Sequence, residues 1–133
     1  MIQTLPYLQE PLEINVRSLA QAGVVTRSDG TQEVVVAGGL PIPTSDTVEI
    51  FSFETGSWRS AENNLPSSNH DGASVPYGDT FLIVGGYDTF TEIDTILKYN
   101  PDEEFFETLP QHLLYGTARM AAMLVPDNYF DCS

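Results

Sequence analysis

Basic residues are scarce in this chain. Five Lys and Arg stand against nineteen Asp and Glu in 133 residues, a formal net charge of −14. That deficit opposes nucleic-acid binding, because phosphates demand clustered Lys and Arg. It equally opposes adsorption to anionic membranes. Solubility, or a basic partner, is what the charge favours instead. Cysteine is nearly absent: Cys132 stands alone, so no internal disulfide can form, and it reads as a free thiol. No apolar run approaches the roughly 20 residues of a bilayer-spanning helix. The opening MIQTLPYLQEPLEINVRS has neither the basic nor the apolar region of a secretory leader, and no Asn-x-Ser/Thr sequon occurs. These absences lean the localisation toward the cytoplasm without fixing it. A sustained 3.6-residue apolar period is also missing, which disfavours helical architecture.

What is present is 41% apolar and 11% aromatic, enough to disfavour disorder. Two Gly-Gly pairs organise it. Gly38-Gly39 ends the run Val34-Val35-Val36-Ala37, and Gly85-Gly86 ends Phe81-Leu82-Ile83-Val84, 47 residues later. A period of that size signals a propeller or solenoid. Strands are predicted at 20–26, 33–37, 47–53 and around Trp58, then again at 73–75, 80–84, 94–99 and at Phe105-Phe106. Turns at 28–31, 54–56, 77–79 and 100–102 carry the Gly, Asp and Asn that hairpins need. A third round is predicted to begin with a strand at 119–125, turn at Asp127-Asn128 and continue at Tyr129-Phe130. The expectation is an all-β meander with four short strands per repeat.

These residues resemble the kelch family of β-propellers, in which an apolar strand ends in Gly-Gly and is followed by a tyrosine and then a tryptophan. Phe51 and Trp58 fill the aromatic places in the first copy, Tyr99 and Phe106 in the second, seven residues apart each time. Each copy thus carries one phenylalanine substitution. Leu5-Pro6, Leu65-Pro66 and Leu109-Pro110 are similar to the Leu-Pro that closes a blade, and Arg17 and Arg119 to the arginine that precedes the next. The resemblance implies an incoming connection at 1–19, blades at 20–59 and 72–109 joined by a loop at 60–71, and a truncated third blade at 110–133. It implies a partial propeller, not closed within this chain: four blades would need about 190 residues. Missing blades, from this or another chain, are expected to complete it. Both outer faces, through Val24, Val25, Met123 and Val125, are expected to be apolar and exposed. Trp58 and Phe106 are expected to be buried between sheets.

Strand alternation puts the tight turns at one end of each blade and the long loops at the other. Long loops on a rigid scaffold are where binding usually resides. Kelch resemblance implies a protein partner there, of unspecified identity, and Tyr87, Phe90, Glu92, Tyr115 and Arg119 are the candidate contacts. No nucleophile motif, phosphate loop or cysteine pair is present. His70 and His112 lack metal-ligand neighbours at a useful spacing and read as surface polar residues. The chain is therefore expected to be non-enzymatic, with no cofactor and no metal. The alternative is part of a galactose-oxidase-like copper enzyme. That chemistry needs Tyr, His and Cys ligands together, and Cys132 falls at the wrong end of the repeat. The acidic cluster Asp102, Glu103, Glu104 and Glu107 reads as a solvated turn whose charge discourages edge pairing.

Overall fold

Asp29-Gly30 closes the first hairpin, with Arg27 N–H donating to the Thr31 carbonyl at 2.8 Å and Thr31 N–H to the Asp29 carboxylate at 2.8 Å. From that turn a meander follows. A computed structural model describes residues 15–126. The first sheet holds β1 (Gln21–Thr26), β2 (Gln32–Ala37), β3 (Val48–Ser52) and β4 (Ser57–Ser60). The second holds β5 (Ala73–Tyr77), β6 (Thr80–Val84), β7 (Thr95–Asn100) and β8 (Phe105–His112). Each is antiparallel and in sequence order. The all-β expectation and all eight strands are present. No closure is seen among the described residues.

The core lies between the sheets. Cross-strand register places Gly23, Val35, Ile50 and Arg59 on one face of the first sheet. Val25, Val35, Ala37, Val48 and Ile50 pack there against Phe81, Ile83, Leu97, Tyr99 and Phe106 of the second. The three aromatics form a cluster, with Tyr99 and Phe106 centroids 4.9 Å apart and Phe81 edge-on to Phe106 at 5.8 Å. Each such ring contributes about 1.5–3 kcal/mol through burial. β1 crosses this face closely: a Cβ at Gly23 would overlap the Phe81 ring.

The two units share one backbone pattern. Gly38 N–H donates to Thr47 O and Gly85 N–H to Thr95 O, both at 2.9 Å. Gly39 N–H donates to Asn69 O and Gly86 N–H to Thr117 O, both at 2.8 Å. The glycine pair is thus squeezed against the chain crossing to the next unit: a Cβ at Gly38 would overlap the Asn69 carbonyl, and one at Gly85 the Thr117 carbonyl. φ values of 69°, 95°, 61° and 121° at Gly38, Gly39, Gly85 and Gly86 add a second reason for glycine. Of the four described non-glycine residues at left-handed φ, three, Leu19, Asp71 and Arg119, lie where one unit joins the next, at 57°, 60° and 55°. They are linked in series: Asp71 N–H donates to Leu19 O at 3.0 Å, and Arg119 N–H to Asp71 O at 2.9 Å. One position of the repeat therefore hydrogen-bonds to its own counterpart in the preceding unit.

This register corrects several expectations. Arg119 corresponds to Leu19 and Asp71, not to Arg17. Arg17 corresponds instead to Asn69, because its guanidinium donates to Gly38 O at 2.8 Å as Asn69 Nδ2 donates to Gly85 O at 3.1 Å. Arg17 also forms a buried ion pair with Glu49. Leu65 is matched by Leu113, whose N–H groups donate to Asp46 O and Asp94 O, rather than by Leu109. Leu109-Pro110 lies within β8, which runs on past an irregularity opposite Thr95 and Leu97. Pro110 is tolerated there because β8 is an edge strand and a missing N–H can face water.

Trp58 is only half-buried. It packs on Phe51, centroids 5.3 Å apart, on the face of the first sheet turned away from the second. Phe106, its counterpart, is 4% exposed between the sheets. The strand expected at 119–125 does not form among the described residues: a strand needs a hydrogen-bonded neighbour, and the expected one, at Tyr129-Phe130, lies outside the described range. Leu5-Pro6, Asp127-Asn128 and Cys132 lie outside it as well. Val24, Met123 and Val125 are exposed, but Val25 is buried, because it faces the second sheet.

Candidate functional site

The tight turns 27–31, 53–56, 78–79 and 101–104 sit at one end of the sheets, and the loops 38–47, 61–72, 85–94 and 113–120 at the other. At the turn end Asp102, Glu103 and Glu107 are exposed, as expected of a solvated turn, and Glu104 departs from that role. Asp102 accepts from both the N–H and the hydroxyl of Ser28 at 3.0 Å. Glu104 is 8% exposed and binds Arg59 at 2.8 Å and Arg27 at 3.5 Å. The same two arginines reach Glu33 at 3.0 and 3.3 Å. An ion cluster therefore clasps the sheets, where spacing alone indicated only local charge. Tyr99 points its hydroxyl into this interior without a hydrogen-bond partner among the described residues. Burial, reinforced by the Glu104 and Glu33 carboxylates, pushes its ionisation well above the ordinary phenol range.

At the loop end a pocket of about 390 Å³ is lined by His70, Asp71, Tyr87, Glu92, Ala118 and Arg119. Its frame is backbone. His70 and Tyr87 exchange N–H···O bonds at 3.0 and 2.8 Å, and Tyr87 bridges in turn to Glu92. The His70 and Tyr87 rings lie 5.3 Å apart at 44°. His70 Nδ1 is buried without a hydrogen-bond partner among the described residues; Asp71 Oδ2 is 3.7 Å away. The same Asp71 oxygen accepts from Arg119 Nε at 3.3 Å, with the Asp71 side chain 13% and the Arg119 side chain 85% exposed.

Beside it, the loop tip is braced by Asp88, whose carboxylate accepts from Phe90 N–H at 2.6 Å and Thr91 N–H at 2.8 Å. Those two bonds stabilise the ionised form and hold the Asp88 pKa below the usual carboxylate value. Tyr87 hydroxyl donates to Phe90 O at 3.1 Å, and the Phe90 ring stands 85% exposed.

Of the five candidate contacts, the fold thus brings Tyr87, Glu92 and Arg119 to one pocket. Phe90 sits on the adjoining loop tip. Tyr115, 76% exposed, lies on the same end but outside the pocket lining. His70, read from the sequence as a surface polar residue, and its neighbour Asp71 are additions to that set. Their adjacency was the available signal; what it lacked was the chain reversal that sets Tyr87 across from them. His112, by contrast, is half-exposed with Nδ1 3.6 Å from Asp94.

Among the described residues no three His, Cys, Asp or Glu side chains are grouped to hold a metal ion, and no helix is long and apolar enough to cross a membrane. No family model matches the chain, and no curated protein matches it.

Proposed function

We propose that this chain is part of a kelch-type β-propeller and serves as a non-catalytic protein-binding module. The partner sits on the loop end, over Tyr87, Glu92 and Arg119, with Phe90 and Tyr115 as flanking aromatics. The two sheets are read as successive blades. The serial hydrogen bonds from Leu19 to Asp71 to Arg119 support this, since each unit stands to the next in the same relation. The single observation that carries the binding role is the pocket at the loop end with a bare aromatic ring at its margin. Exposed aromatics beside charged groups suit a binding hot spot. No step of chemistry is assigned to it.

The test is capture of a cross-linked partner, identified by mass spectrometry, with the purified 133-residue chain as bait. Tyr87→Ala combined with Phe90→Ala and Tyr115→Ala is expected to abolish capture while leaving the far-ultraviolet spectrum unchanged. Asp29→Ala and Asp79→Ala, in the tight turns, are expected to leave capture intact. The reverse pattern overturns the reading, and stoichiometric copper in the purified chain overturns its non-catalytic part.

A further inference from the structure

The backbone frame of the pocket is a repeated feature, but its side chains are not. In the first unit the same bridge joins Ser18 to Leu40, with mutual N–H···O bonds of 3.0 and 2.7 Å. Leu19 holds the left-handed position that Asp71 holds in the second. A small hydroxyl residue and two leucines are therefore enough to build this corner. His70, Asp71 and Tyr87 exceed what the fold requires there, and need another explanation.

Asp71 also sits in a strained position. A left-handed φ of 60° is unfavourable for a non-glycine residue, though Asp tolerates it better than most. That conformation holds its carboxylate at the pocket, close beside the His70 ring. The group that occupies the carboxylate is Arg119, through Nε alone, on a side chain that is otherwise in water. A single exposed contact of this kind contributes little. A guanidinium presenting its two-pronged edge would bind the carboxylate more strongly. Glu92 adds a second acidic group to the lining, and the Tyr87 ring supplies an aromatic surface suited to a cation. The −14 charge of the whole chain attracts the same kind of guest.

We infer that this pocket receives an arginine side chain of a basic protein segment, and that Arg119 is the chain's own placeholder, displaced when the guest enters. The inference rests on the loop-end binding proposed above and names the chemistry of its partner. Asp71 takes the guanidinium, Glu92 adds acidic character and the Tyr87 ring covers its face. Arg119 swings into solvent, where most of it already lies.

The probe is a short glycine-flanked arginine peptide, titrated into the isotope-labelled full chain and followed by amide chemical shifts. Its counterpart carries citrulline, which keeps the shape and loses the charge. The arginine peptide is expected to shift residues 70–71, 87–92 and 118–119, and the citrulline peptide to leave them in place. Asp71→Asn, which suits the left-handed position, is expected to weaken binding about fivefold or more, and Glu92→Gln by a smaller factor. Arg119→Ala is expected to tighten it by a few-fold, since it removes the competitor. Equal shifts from citrulline, shifts scattered over the acidic surface, or weaker binding by Arg119→Ala would each overturn the inference. An acidic peptide that moves the same residues would overturn it too, by making Arg119 the receptor. If these arms fail while the aromatic variants still abolish partner capture, the loop-end reading stands and only the arginine guest falls.

Discussion

Glu104 of the second sheet reaches back 2.8 Å to Arg59 of the first, from the left-handed position that Gly56 holds in the first sheet's own turn. Gly56 N–H donates to Ser52 O at 2.8 Å, and Glu104 N–H to Asn100 O at 2.9 Å, so the two turns are equivalent. A φ of 53° costs a non-glycine residue roughly 1–2 kcal/mol. The inter-sheet ion pairs are what offset it. Replacing Glu104 with Ala keeps the strain and loses the pairs, leaving Arg59 and Glu33 to rearrange. A loss of about 1–3 kcal/mol is expected, because the site is largely buried but Arg59 stays partly in water. Glu104→Gly loses the same pairs and relieves the strain, so it is expected to be about 1 kcal/mol more stable than Glu104→Ala. Urea unfolding of the two variants side by side measures the difference. Equal midpoints would mean the turn is not strained.

The equivalent aromatics Trp58 and Phe106 should respond unequally to truncation. Phe106 is enclosed by Tyr99 and Phe81 and by the facing sheet. Phe106→Ala is expected to cost about 3–5 kcal/mol, as for other enclosed rings. Trp58 rests on the outer face of its sheet, with Phe51 as its one ring contact among the described residues. Trp58→Ala is expected to cost about half as much, since half-burial leaves a smaller cavity. Because Trp58 is the single tryptophan, its emission reports that environment directly. A maximum between those of buried and free indole is expected. A strongly blue-shifted maximum together with a full-sized cost would show this face to be covered.

Tyr99 makes stability fall at alkaline pH. Its ionisation is raised in the folded chain, first by burial and then by the Glu104 and Glu33 carboxylates. An unfolded tyrosine ionises near pH 10. The Tyr99 contribution is therefore fully present below about pH 10 and is lost as pH rises further, because only the unfolded state releases the proton there. Tyr99→Phe removes that slope, and the hydroxyl has no hydrogen-bond partner to lose among the described residues. Unfolding free energies at pH 8 and pH 11 are expected to differ less in Tyr99→Phe than in the parent chain. An unchanged difference would place the alkaline loss elsewhere.

Local pattern determined the strands. Unbroken apolar runs at Val34–Ala37 and Phe81–Val84, bounded by glycine pairs and Asp-Gly or Gly-Asp turns, allow little else, because β-branched residues and hairpin chemistry act over a few neighbours. The same local rules separated tight turns from long loops, and so pointed to the end of the molecule where Tyr87, Glu92 and Arg119 meet. Tertiary structure decided what lies across space from each residue. Leu109-Pro110 resembles a closing dipeptide, yet hydrogen bonding to β7 carries the edge strand past it. Glu104 reads as one charge in an acidic turn until two arginines 45 and 77 residues away arrive beside it. His70-Asp71 is a bare adjacency until the return of the chain at Tyr87 and Arg119 makes a pocket of it. Strand identity is set by sequence neighbours, whereas pairing and pockets are set by contacts whose cost is loop closure and whose gain comes only when the sheets stack.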